Sequence, residues 1–114
     1  MFEGIENGMP GRQRFWKIHR DGTEDKVVMP VLSKFYGIVI RMLCVRSLDA
    51  RFHAIYQNCE LVVGVWPLKI IQGDAPGWVR EKVITWATQH QQELLAAWNC
   101  CQYRQRPMVI APLP

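Results

Sequence analysis

The chain has 114 residues, a formal net charge of +4, 49% hydrophobic residues and 21% charged residues. That balance fits one modest core and excludes a second domain and a disordered composition. No apolar run approaches the roughly 18 residues of a membrane span, and the N-terminus has no apolar segment of the signal-peptide kind.

Residues 1–28 contain Gly and evenly balanced charge, with Arg12, Arg14, Lys17, Arg20 and Lys26 against Glu3, Glu6, Asp21, Glu24 and Asp25. Only "RFWKI" has strand character, so this stretch is expected to be an N-terminal extension, mostly without regular structure. From Val31 the character changes. "FYGIVIRMLCV" (35–45) is dense in β-branched and aromatic residues, as a central buried strand would be. "SLDA" then gives a turn, and "RFHAIYQ" (51–57) alternates, with Phe52, Ala54 and Tyr56 on one face and His53, Ile55 and Gln57 on the other. "QNCE" reads as a hairpin turn in which Asn58 takes the left-handed conformation. "ELVVGVW" (60–66) and "LKIIQG" (68–73) are further strands, divided by Pro67.

The period then lengthens to three and four. Val79, Val83, Trp86, His90, Leu94, Trp98 and Cys101 form one apolar helical stripe, in which Trp86, His90 and Trp98 read as core packing rather than a site. Asp74 is the expected N-cap, Pro76 lies in the first turn, and Arg104, Arg106 and Pro107 mark the end. A break near Gln89 to Gln92 would divide this into a helix pair. The proline-interrupted tail "PMVIAPLP" is expected along the surface. These elements predict an α+β fold, a small antiparallel β-meander of three to four strands over 29–114, packed by a C-terminal helix or helix pair.

Cys44, Cys59, Cys100 and Cys101 form no Cys-x-x-Cys pair and have no His at ligand spacing, so neither a metal site nor a cofactor is expected. Cys100 and Cys101 on a helix point about 100° apart and cannot both face one partner. Reduced thiols acting as small hydrophobes in a cytoplasm are therefore expected, rather than a disulfide framework. Lys34, Arg41, Arg46 and Arg51 share one short reach with a single acid, Asp49. That patch fits phosphate or an acidic protein, or equally a set of solvated cations beside a sheet.

Residues 29 to about 113 resemble domain-of-unknown-function family 4160. The resemblance is carried by "MPVLSKFYGIVIRM", "FHAIY", "LKIIQGDAP", "ITWATQHQQELLAAW" and "IAPLP". Relatives typically begin at this Met-Pro, so the resemblance makes Met29 a candidate start, against a true N-terminal extension. The resemblance implies a component of a bacterial type II toxin–antitoxin module, with a small family 2442 protein as partner. Relatives usually show His-Phe-His-Ala where this chain has Arg51, Phe52, His53 and Ala54. A His-x-His pair on a strand puts both rings on one face, about 7 Å apart, where they could bind metal or share proton transfer. With Arg51 in the first place metal binding loses its ligand, while an Arg–His pair can still position a phosphate and move a proton.

His53, Arg51 and Arg41 are the candidate catalytic residues, each with a structural alternative. His53 reads equally as a packed strand residue. Arg41, in an apolar strand, needs a partner such as Asp49, Glu60 or Glu93. Three functions compete: a toxin, rather than an antitoxin, acting by binding a cognate small protein through strand edges and the apolar tail; a small metal-independent RNA-directed nuclease; and a plain nucleic-acid-binding module. The last lacks an aromatic-basic motif of the RNA-recognition kind.

Overall fold

The computed structural model describes residues 16–18, 24–26, 29–45 and 49–114. β1 (Trp16–Ile18) and β2 (Glu24–Lys26) pair antiparallel, with Trp16 opposite Lys26, as a two-stranded ladder outside the main sheet. The rest of the expected unstructured extension lies outside the described residues.

The main sheet is an antiparallel meander in chain order: β3 (Val31–Phe35), β4 (Ile38–Arg41), β5 (Arg51–Tyr56), β6 (Cys59–Val65) and β7 (Leu68–Asp74). Two helices follow, α1 (Gly77–Gln89) and α2 (Gln91–Gln102). The fold is α+β as expected, with five strands rather than three or four. The additional strand comes from a turn inside the run read as one strand over 35–45. Tyr36 and Gly37 have φ of 53° and 78°, the pair of left-handed conformations that closes a two-residue hairpin matching the twist of its strands. The β-forming neighbours on both sides conceal it. Consequently β5, not 35–45, is the middle strand. In the next hairpin Gln57, at φ 52°, takes the left-handed conformation expected of Asn58.

One face of the sheet carries the core. Ile40, Ala54 and Leu61 stand opposite one another across β4, β5 and β6, as do Phe52 and Val63, and all five are buried. The helices cover this face with Val79, Val83, Trp86, Ala87, Leu94, Ala97 and Trp98, so the stripe of threes and fours packs inward as expected. Trp86 is fully buried, with its ring 5.4 Å from Phe35 and 5.8 Å from Phe52. The expected break falls at His90 (φ −119°, ψ 25°). Its N–H bonds Trp86 O and its carbonyl accepts from Leu94 N at 2.9 Å, so the chain bends without losing its backbone pairing.

The helix starts later than expected. Pro76, at ψ 148°, is the N-cap, and Asp74 instead ends β7 with Oδ1 accepting from Ala75 N at 2.9 Å and Arg80 Nη1 at 2.7 Å. A residue before proline is pushed away from helical angles, so Ala75 cannot be the first helical residue after an Asp74 cap. At the far end Arg104 adopts φ 59°, with its N–H on Cys101 O and Gln105 N on Cys100 O at 2.8 Å. This is the paired C-terminal closure usually given to Gly.

The tail does more than lie on the surface. Ile110 is buried, its N–H donates to Leu32 O at 2.8 Å, Trp86 Nε1 donates to Ala111 O at 2.8 Å, and Tyr36 Oη donates to Pro114 O at 2.6 Å. It therefore closes the β3 edge.

The expectation of reduced thiols is corrected at one pair. Cys44 and Cys101 form a disulfide across 57 residues, with Cα atoms 4.9 Å apart, and Cys59 and Cys100 are free. The angular argument does keep Cys100 and Cys101 from sharing a partner. It does not prevent Cys101 alone from meeting a cysteine at the end of a strand far away in sequence. Gln102 Nε2 donates to Val45 O at 3.0 Å beside the bridge, so the segment after β4 is held to α2 twice.

Trp86→Ala is expected to cost about 3–5 kcal/mol in chemical denaturation, because it empties the contact between sheet, helix and tail. Gly73→Ala is expected to be destabilising by more than the roughly 1–3 kcal/mol of backbone strain alone. Gly73 has φ 90° and an added Cβ would lie 2.0 Å from Glu60 O. A thermal melt of that variant within a degree or two of the parent would show that β6 and β7 can separate there freely.

Candidate functional site

The second face of the sheet is set by the other parity of β4, β5 and β6. Arg41 lies directly opposite His53, and His53 opposite Val62. Arg51 precedes His53 by two residues on β5, so it projects from the same face. The register thus brings Arg41, Arg51 and His53 together, a convergence that strand assignment alone leaves undetermined because one residue of slip would reverse it.

His53 is buried, at 7% exposure, and its Nδ1 donates to Glu60 Oε2 at 2.6 Å. Glu60 faces Ile55 across β5 and β6, one diagonal step from His53, within reach of a long side chain. This bond orients the ring and commits Nδ1, leaving Nε2 as the ring nitrogen that Glu60 does not hold. Glu60 entered the sequence reasoning only as a partner for Arg41. The clue to its real partner was the hairpin geometry, since a two-residue turn at Gln57–Asn58 places position 60 diagonally from position 53.

Arg41 Nη1 donates to Met29 O at 2.8 Å. Of the carboxylates expected to serve it, Glu60 is held by His53 and Glu93 by His90, whose Nδ1 lies 2.5 Å from Glu93 Oε1. Arg51 Nε is shielded from solvent and has no hydrogen-bond partner among the described residues. Lys34 extends the same face from β3, opposite Val39, and Lys69 extends it from β7, opposite Gly64, which in turn faces Arg51. Arg46 lies outside the described residues.

Other candidates separate from this group. Ser33 is 4% exposed and pairs with Ile40, which places it on the helix-covered face with Oγ unpartnered among the described residues. His90 is half-buried, 5.4 Å from Trp86. Among the described residues no group of three or more His, Cys, Asp or Glu is placed to hold a metal ion, and no helix is long and apolar enough to cross a membrane.

The molecule is thus a small α+β protein whose meander buries one face under a helix pair and gathers cationic groups around a carboxylate-held histidine on the other. It belongs to the family described as Domain of unknown function (DUF4160), whose model matches residues 37–99, more than half of the chain. The match runs from the Tyr36–Gly37 turn into α2 and includes Arg41, Arg51, His53 and Glu60. No curated protein and no solved structure matches.

His53→Ala is expected to lower stability by about 1–3 kcal/mol, since it removes a buried side chain and the donor to Glu60. Arg51→Ala is expected to leave stability within about 0.5 kcal/mol, because it deletes a donor that has no acceptor. Equilibrium urea denaturation of the two variants checks the contrast. Equal losses would mean that Arg51 carries packing the hydrogen-bond pattern does not reveal.

Proposed function

We propose that this chain is the toxin component of a bacterial type II toxin–antitoxin pair and that it acts by binding a cognate small protein of the family 2442 type. The pairing is suggested by the resemblance read from the sequence, while the family itself is described only as a domain of unknown function. The observation that carries the binding role is the asymmetry of the sheet edges. The β3 edge is engaged by the chain's own tail through Ile110 and Leu32, whereas the outer edge of β7 has no strand partner among the described residues. β7 spans seven residues, and Ile71 on it is 48% exposed. An unpaired strand of that length can accept a strand from another chain, with main-chain bonds supplying affinity and side chains such as Ile71 supplying selectivity. Met108 and Val109 on the tail are 82% and 76% exposed and offer a second apolar contact.

Inducible expression of the chain is expected to arrest growth, and co-expression of the neighbouring small gene is expected to restore it and to co-purify a stable complex. Ile71→Asp should weaken that complex at least tenfold without lowering the melting temperature, since the position is half exposed. Unimpaired growth on expression, with no complex formed, would remove this reading.

A further inference from the structure

The cationic face of the sheet has a charge surplus and an apolar companion at one end. Glu60 is occupied by His53, and Asp74 by Arg80 at 2.7 Å. Lys34, Arg41, Arg51 and Lys69 remain as four permanent cations on the helix-free side, with Arg41 Nη1 donating to the neutral Met29 carbonyl. Arg51 and Lys69 stand on either side of Gly64, which itself contributes no side chain to that row. Ile71 Cδ1 lies 3.3 Å from where a Gly64 Cβ would be, so an apolar side chain sits over that row. At the same end of the sheet Trp66 is 72% exposed, an unusual position for the largest aromatic side chain in a small protein.

The geometry points to a binding surface for single-stranded RNA on this face, with a backbone phosphate held by Arg51 and Lys69 and a base stacked on Trp66. Guanidinium and ammonium groups meet phosphate oxygens through short charge-assisted bonds, and a guanidinium offers several donors to one phosphate. Charge alone would suit an acidic peptide as well. The exposed Trp66 at the same end of the sheet as two cations decides between them, because base stacking on an aromatic ring near a phosphate-binding cation is how single strands are held without sequence selectivity. Arg41 and His53 lie farther along the same face, so a strand leaving Arg51 in that direction passes Arg41 within one or two nucleotides. The role does not depend on the toxin reading, and the surface adjoins the β7 edge at Ile71.

The test is fluorescence anisotropy with the full chain and a labelled oligouridylate of about 12 nucleotides, across a salt series. The parent is expected to bind with log affinity falling linearly in log salt. Arg51→Ala should weaken binding about tenfold or more and reduce the salt slope by about 0.7, one phosphate contact on a single strand. Trp66→Ala should weaken binding about fivefold or more with the salt slope unchanged, since stacking releases no counterions. Circular dichroism melts keep the comparison to folded protein, and Arg51→Lys serves as a second variant, expected to retain the slope with reduced affinity. Absence of binding overturns the proposal. So do polyglutamate competing as well as unlabelled RNA, inorganic phosphate displacing the probe equally from the parent and from Trp66→Ala, and unchanged affinity in both variants.

Discussion

Trp86 is the contact on which the remaining architecture depends. It touches aromatic rings on β3 and β5, lies on the buried stripe of α1, and through Nε1 holds Ala111 of the tail. A tryptophan can do this because it combines a large apolar area with a single donor that must find an acceptor when buried. The acceptor is a tail carbonyl, so the packing of the helix on the sheet and the closure of the β3 edge are one event. The sheet's remaining asymmetry follows: the β3 edge is engaged by the tail, one face is covered by helices, and the β7 edge has no strand partner among the described residues.

Much of this was legible from periodicity. The alternation in "RFHAIYQ" assigned the two faces of β5 correctly, and the threes and fours from Val79 to Cys101 gave the helical stripe, which continues through the bend at His90. Local composition failed where two signals had the same residues. The Tyr36–Gly37 turn sits inside a run of strand formers, and without a Pro, Asn or Asp to mark it the run reads as one strand. Asp74 failed for a related reason: an acidic residue before a helix is ordinarily a cap, but here the Ala75–Pro76 step displaces the start and Arg80 captures the carboxylate. The Cys44–Cys101 bridge depends on which two positions a folded meander brings together, and spacing along the chain carries no record of that.

The candidate site shows the same division. That Arg51 and His53 share a face is a property of one strand and was readable. That Arg41 joins them is a property of register, and register is determined by the buried face, where Ile40, Ala54 and Leu61 must align for the core to close. The hydrophobic side of the sheet therefore fixes the geometry of the polar side. A slip that preserved Arg41, Arg51 and His53 individually would still send one of them into the core, at a cost no ion pair there could recover.

Gly73 extends that logic to the far edge. Its position at φ 90°, with Glu60 O where a Cβ would be, lets β7 approach β6 beside the residue that holds His53. The register shift next to it, between Val62 and Val63, places Ile71 out of step with its neighbours, over Gly64. An irregularity of this kind turns a strand edge and re-aims a side chain. Here it does both at once: it interrupts the β7 ladder, which limits indiscriminate edge pairing, and it moves an apolar side chain onto the cationic face beside Arg51 and Lys69. The backbone freedom of one glycine and the absent side chain of another thus shape the ground where the sheet's β7 edge and its helix-free face meet, at Ile71.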